Sequence, residues 1–230
     1  MTERATSSVT PFAEELPGSL AVRGFLHRPE RPAGDGLVLT HGAGSNCEAP
    51  LLVAVANAFA EAGVTVLRCD LLFRQMRRTG PPLGASAERD REGIRAAAQA
   101  LRKIVPGRIF LGGHSYGGRQ ASMLAAADAT ITAGLLLLSY PLHPPQRPSE
   151  LRTAHFPKLQ TRAVFVHGTR DPFGSLEEMQ AALALIPGPA VLVSIEGAAH
   201  DLWPGRRSAE AFAEVAAKAV AAFTAHCLHS

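Results

Sequence analysis

The sequence is short of several things, and each shortage removes a class of protein. Its longest apolar runs, such as Leu135 to Leu138, fall far below the ~20 residues that cross a bilayer. The opening stretch Met1 to Thr10 is polar and lacks the basic start and apolar core of a secretory leader, so a cytoplasmic, membrane-free protein is expected. Cysteine occurs only at Cys47, Cys69 and Cys227, an odd number without the paired spacings of a zinc site or a disulfide framework, and reduced structural thiols are expected. Net charge is scarce too: 23 Lys and Arg alternate with 20 Asp and Glu, leaving +3 and no long basic block for a nucleic acid. The nine histidines are scattered without an H-E-x-x-H or similar pair, so no metal is expected. No cofactor is expected either, because the glycine-rich segments lack both G-x-G-x-x-G and the Lys-Ser/Thr ending of a phosphate loop.

What is present is an ordinary globular composition, 47% hydrophobic and 19% charged over 230 residues. That length suits one domain, 1–230, with 1–15 expected to be a loosely ordered leading segment. From Gly36 onward, short apolar runs alternate with segments of helical period. The runs are Leu37 to Thr40, Thr65 to Cys69, Arg108 to Leu111, Gly134 to Ser139, Ala163 to Val166 and Val191 to Ile195. Most lack polar alternation, as strands buried on both faces do. The pattern predicts an α/β fold with a mostly parallel sheet covered by helices on both faces. Leu20 to Leu26 alternates more and reads as an antiparallel edge strand. Helices are expected around Leu52, Val55 and Phe59, around Ile94, Ala97 and Leu101, from a capping box at Ser175 and Glu178, and around Phe212, Val215, Ala219 and Phe223. About twenty residues, including Pro141 to Pro148, separate the fourth parallel run from the fifth, which leaves room for a flap but not a large lid.

The chemistry gathers behind three of these runs. Ile109 to Gly112 leads into Gly113-His114-Ser115-Tyr116-Gly117-Gly118 and then a helical segment, which is G-x-S-x-G between a strand and a helix. Such a turn holds a serine in a crowded backbone position and aims its hydroxyl into a cleft. A serine hydroxyl needs a base, and the base needs an orienting acid. His167-Gly168-Thr169-Arg170-Asp171-Pro172 and Glu196-Gly197-Ala198-Ala199-His200 follow later strands and supply Asp171 and His200. Parallel strands open these loops on one edge of the sheet. Singly, Asp171 reads equally as a turn residue before Pro172 and His200 as a surface histidine; together with Ser115 they read as a triad. Asp201 is a rival acid, but sequence neighbours rarely face each other productively. The amides of Tyr116 and of Ala43 or Gly44, in His41-Gly42-Ala43-Gly44, are candidates for an oxyanion hole. Phe73, Tyr140, Phe173 and Trp203 are candidates for an apolar substrate pocket, and Arg74, with Arg77 and Arg78, for attracting an anionic substrate.

These motifs resemble the α/β-hydrolase superfamily over Leu20 to Phe223, carried by His41-Gly42, Gly113 to Gly118, Gly168 to Pro172 and Gly197 to His200. More narrowly, the chain is similar to compact, lidless, dienelactone-hydrolase-like bacterial enzymes. Through Leu151 to Gly174 it is also similar to the hydrolase-like domain of nonspecific-lethal complex subunit three. Ser115 stands where dienelactone hydrolases proper have cysteine. The resemblance implies the α/β-hydrolase fold and a serine hydrolase acting on a small-molecule ester, thioester or amide. A non-catalytic scaffold module is the alternative, and the sequence leaves the oligomeric state open.

Overall fold

The computed structural model describes residues 7–16, 20–84, 86–203 and 209–228. Eight strands form one sheet: β1 (Ser8–Leu16), β2 (Leu20–Arg28), β3 (Gly36–Thr40), β4 (Thr65–Cys69), β5 (Ile109–His114), β6 (Leu135–Leu138), β7 (Ala163–Gly168) and β8 (Ala190–Ile195). Their spatial order is β1-β2-β4-β3-β5-β6-β7-β8, antiparallel from β1 through β4 and parallel from there on.

The six apolar runs become the six parallel strands because both faces of the sheet are covered. Successive side chains of a strand point to opposite faces. Leu135, Leu137 and Phe165 therefore join one core with Ile94, Ala97, Leu101, Leu124 and Met179. Leu136, Leu138, Val164 and Val166 join a second core with Leu52, Val55, Phe59, Phe212, Val215 and Phe223. The first core is covered by helices α3 (Ser86–Arg102), α4 (Tyr116–Ala127) and α5 (Leu176–Leu183), and the second by α1 (Pro50–Glu61) and α6 (Ala209–Phe223). A short helix α2 (Leu72–Met76), which the sequence pattern did not announce, follows β4, and a π turn over Thr224–Leu228 ends α6. The stop signal after α1 acts as expected: Gly63 takes φ +92°, and Val64 N–H returns to Phe59 O at 3.0 Å.

Two expectations need correction. Of the segment 1–15, expected to be loosely ordered, residues 1–6 lie outside the described residues and the remainder is not loose, because Ser8–Leu16 pairs along its whole length with β2. Pro11, Glu14 and Glu15 hid this strand, yet polar residues and proline suit an exposed sheet edge. Leu20–Arg28 is consequently an inner strand and not an edge. At the opposite edge β8 is only partly buried, since among the described residues no strand pairs with its far side.

Between β6 and β7 the chain forms a strap carrying a single 3-10 turn, Phe156–Lys158. Leu142, Phe156 and Leu159 are fully buried, Tyr140 Oη donates to Arg152 O at 2.6 Å, and Arg152 N–H donates to Leu142 O at 2.8 Å. The strap is packed onto the body, and among the described residues no lid rises over the sheet edge.

The box at α5 forms as the sequence indicates: Ser175 Oγ accepts from Glu178 N at 3.1 Å, and Glu178 Oε2 accepts from Ser175 N at 2.7 Å. Ser175→Ala leaves one helix N–H without its acceptor and is expected to cost about 1 kcal/mol, measured as a lower urea midpoint at an unchanged m-value.

Candidate functional site

The turn from β5 into α4 is tightly packed. Ser115 adopts φ 50° and ψ −113°, a region that L-residues rarely occupy. Its N–H is held by Leu138 O at 2.8 Å and its carbonyl by Arg119 N at 3.0 Å. The flanking glycines are required by contact. A Cβ on Gly113 would lie 2.6 Å from Thr40 Oγ1, and one on Gly117 would lie 2.5 Å from the same oxygen and 2.6 Å from His41 O.

At this turn, Ser115 Oγ lies 2.8 Å from His200 Nε2. His200 Nδ1 meets both Asp171 oxygens, at 2.8 and 3.0 Å, so the ring proton sits on Nδ1 and Nε2 faces the serine hydroxyl as an acceptor. The Asp171 side chain is 0% exposed and its Oδ1 also accepts Phe173 N–H at 2.9 Å; the His200 side chain is 21% exposed. The sequence-predicted trio is thus brought together. Asp201 is turned elsewhere, accepting Trp203 N–H at 3.3 Å.

Two histidines that the sequence did not single out hold this series in place. His114, the residue before the serine, lies with its Nε2 2.8 Å from His200 O and its ring 5.3 Å from the His200 ring. Burial lowers its pKa to about 4, so it is neutral and donates to that carbonyl. His167, buried at the end of β7, binds Gly174 O through Nε2 at 2.7 Å and is likewise kept neutral by burial. It closes the loop that carries Asp171. The two post-strand loops are also stitched to each other: Arg170 N–H donates to Ala198 O at 2.8 Å and Gly197 N–H to Thr169 Oγ1 at 2.9 Å. Phe173 stacks on His200 with ring centroids 4.1 Å apart, shielding one face of the imidazole.

The loop after β3 is fixed from two sides. Leu71 N–H donates to His41 Nε2 at 3.1 Å, which leaves the proton on Nδ1 to donate to Gly42 O at 2.8 Å. Ser45 N–H reaches the same carbonyl at 3.1 Å. Arg74 then donates to Ala43 O at 2.9 Å, Ser45 O at 2.7 Å, Arg77 O at 3.1 Å and Gly80 O at 3.0 Å. Within a planar peptide the N–H points opposite to the carbonyl, so pinning Gly42 O and Ala43 O also sets the directions of the Ala43 and Gly44 amides. The loop abuts the turn: a Cβ on Gly42 would lie 3.5 Å from Ser115 Cβ and 2.9 Å from His114 Nδ1.

The expected substrate residues fare unevenly. Arg74 is 7% exposed with its donors spent on carbonyls, so it is a clamp on the loop and not a substrate ligand. Tyr140 is 1% exposed, packed among Phe156 and Phe165 with its hydroxyl on Arg152 O, and is core. Phe73 is buried edge-on to His41 and Tyr116 and borders a cavity of about 230 Å³ with Met76, Arg77 and Leu83. Trp203 borders a separate cavity of about 320 Å³ with Gly42, Leu52, His114 and Phe212. Phe173 alone lies directly on the imidazole. The aromatics therefore do not form one pocket. Tyr116 is anchored through its side chain, with Oη donating to Asp90 Oδ2 at 2.8 Å while Asp90 Oδ1 accepts Phe73 N–H at 3.0 Å. Among the described residues, no group of three or more His, Cys, Asp or Glu is arranged to hold a metal ion, and no helix is long and apolar enough to cross a membrane.

Residues 33–227 match the family model described as an alpha/beta hydrolase domain. The chain belongs to the α/β-hydrolase family. Among solved structures, this α/β hydrolase is similar to the dienelactone hydrolase of Anabaena variabilis, with 20% identity, 97% of this chain and 100% of that one covered, and a TM-score of 0.77. It is similar to an alpha-beta serine hydrolase homologue from Coxiella burnetii at 17% identity, covering 93% and 96%, with a TM-score of 0.74. A lidless α/β serine hydrolase of Xanthomonas campestris matches at 17% identity, 95% of both chains and a TM-score of 0.66. At these identities the likeness is one of fold.

The buried imidazoles give this α/β hydrolase an acid sensitivity of defined sign. His27, His114 and His155 are each lowered from 6.5 to about 4, chiefly by burial. Between those values the unfolded chain takes up protons that the folded chain refuses, so stability is complete above about pH 6.5 and is lost as the pH falls toward 4. The urea midpoint is expected to drop between pH 7.5 and pH 5, by on the order of 1 kcal/mol per group. A flat profile over that interval would contradict the neutral assignment.

Proposed function

We propose that the chain hydrolyses a small carboxylic ester through an acyl-enzyme on Ser115. One observation carries this reading: the unbroken series from Ser115 Oγ to His200 Nε2 at 2.8 Å and from His200 Nδ1 to Asp171 at 2.8 Å, on a backbone turn strained to present the hydroxyl. In the first half-reaction Ser115 Oγ attacks the ester carbonyl carbon as its proton passes to His200 Nε2. The tetrahedral intermediate then collapses, the C–O bond to the alcohol breaks, and His200 returns the proton to the leaving oxygen. In the second half, water loses a proton to His200 and attacks the acyl carbon; the bond from that carbon to Ser115 Oγ then breaks, His200 returns the proton to Oγ, and the acid is released. Asp171, buried and hydrogen-bonded, holds the tautomer and stabilises the imidazolium. The resting charge changes only at His200.

The negative charge that develops on the carbonyl oxygen would be met by the Tyr116 amide at the start of α4 and by the Ala43 or Gly44 amide. Support for the second donor is the clamping of its loop by His41 and Arg74 beside Ser115. The cavity bounded by Gly42, His114 and Trp203, about 320 Å³, would take an apolar part of the substrate, and its size favours small esters. Thioesters and amides would pass through the same acyl-enzyme, and among oxygen and nitrogen leaving groups an ester's alcohol departs more readily than an amide's amine. The reaction as written consumes only substrate and water. The free, buried Cys47, Cys69 and Cys227 suit a reducing compartment and a cytoplasmic enzyme.

Ser115→Ala is expected to lower kcat/KM on p-nitrophenyl acetate by about a thousandfold or more, and Asp171→Asn by about 10³ to 10⁴ through the wrong tautomer, both with the fold intact by circular dichroism. Labelling of wild-type protein, but not Ser115→Ala, by a fluorophosphonate is the companion readout. Folded wild-type protein that neither labels nor turns over would instead support a scaffold role.

A further inference from the structure

A second feature lies on the flank of α4, away from the cavity beside Gly42. A groove of about 390 Å³ runs between α4 and the strap, lined by Arg119, Met123, Ala126 and Ala127 on one side and by Leu151, Arg152, Ala154, His155 and Lys158 on the other. Its charge is of one sign. Arg119, Arg152 and Lys158 enter it, no carboxylate lines it, and among the described residues none of the three makes a salt bridge. The neighbouring acids are engaged elsewhere: Glu150 pairs with Arg147 at 2.9 Å and Asp128 with Arg95 at 2.6 Å.

The two arginines are held together at a cost. The Arg119 side chain lies within hydrogen-bonding reach of the Tyr140 hydroxyl, which itself donates to Arg152 O at 2.6 Å. Arg119 Nε is buried and meets no acceptor of the protein. Arg152 is pushed below its ordinary pKa by burial and by Arg119, and its guanidinium makes a long 3.3 Å bond to Pro141 O. His155 is held neutral at about 4 by burial and Arg119, with its Nε2 2.8 Å from Ser122 Oγ, so it adds a polar wall without a charge.

We infer that this groove is a binding site for an organic phosphate, with the phosphate dianion on Arg119 and Arg152 and an apolar body along Met123, Ala126, Ala127 and Leu151. Guanidinium groups present paired N–H donors that match a phosphate's oxygens, and three uncompensated cations favour a dianion over a single negative charge. Lys158, on the far wall, contributes charge rather than fixed geometry. The apolar residues between the cationic groups set the class of ligand as a phosphate monoester with a short hydrocarbon part rather than free phosphate. The site requires nothing of Ser115, so it stands or falls separately from the hydrolase reading.

The test is calorimetric titration of the full chain with n-hexyl phosphate and, in parallel, with inorganic phosphate, at low salt and at 150 mM salt. Saturable one-to-one binding of hexyl phosphate is expected, at least tenfold tighter than inorganic phosphate. Arg152→Gln and Arg119→Gln are each expected to weaken it at least tenfold, while Ser115→Ala binds as wild type does. A second measurement guards against misfolding: hexyl phosphate should raise the wild-type urea midpoint but not that of Arg152→Gln, whose own midpoint in phosphate-free buffer should equal or exceed the wild type's because a like-charge contact is gone. Absence of saturable binding to wild type, or equal binding to wild type and both arginine variants, overturns the site. Equal affinity for inorganic and hexyl phosphate overturns the assignment of the apolar floor.

Discussion

The structure is organised around a contact that is nearly too close: the turn carrying Ser115 pressed against the end of β3. Thr40 and His41 stand where any side chain at position 113 or 117 would have to go. The glycines are therefore fixed by the sheet and not by the chemistry. With the turn so confined, Ser115 is forced to positive φ, a strain of order 1–3 kcal/mol that the surrounding core must hold. The same proximity brings the loop after β3 beside the hydroxyl, since Gly42 lies within a methyl's reach of Ser115. One steric constraint thus delivers the exposed nucleophile and the adjoining amide-bearing loop together.

Holding that arrangement falls to polar side chains, because the three loops that meet at the sheet edge have little regular structure of their own. Backbone carbonyls that a helix or strand would have satisfied are taken by His41, Arg74, His114 and His167. Burial matters to each imidazole. A charged ring would have two donors and no acceptor, and His41 could then no longer accept from Leu71 N–H. Keeping these rings neutral preserves their direction. The cost is the acid sensitivity of the folded state, so the fastening of the site and its stability against protons share one origin.

Much of this was legible in the sequence, for identifiable reasons. The parallel strands were visible because two covered faces demand unbroken apolar runs such as Leu135 to Leu138, and Ser115, Asp171 and His200 were visible because each follows such a run. The edge strand Ser8–Leu16 was not, since an exposed edge asks little of its side chains and tolerates Pro11. The pocket was misread for another reason. An aromatic after a strand serves equally as floor or as core, and only packing tells Phe173, stacked on His200, from Tyr140, enclosed by Phe156 and Phe165. The role of Arg74 as a loop clamp is likewise hidden in the sequence, because nothing local marks an arginine whose partners are carbonyls about thirty residues away.

The arginines show how burial discriminates between roles that sequence cannot. Arg74 is almost wholly enclosed, yet its donors meet four carbonyls, so the cation is solvated by the protein and its position is explained. Arg108 is satisfied by Asp35 at 2.8 Å and by the carbonyls of Cys227 and Leu228. Arg119 and Arg152 are enclosed to a lesser degree but find neither an acid nor a comparable set of carbonyls, and each lies in the other's field. The four guanidinium groups thus fall into two kinds. Arg74 and Arg108 are met by oxygens of the chain and belong to the architecture; Arg119 and Arg152, with only the Tyr140 hydroxyl and Pro141 O beside them, face a groove and are placed to bind rather than to brace.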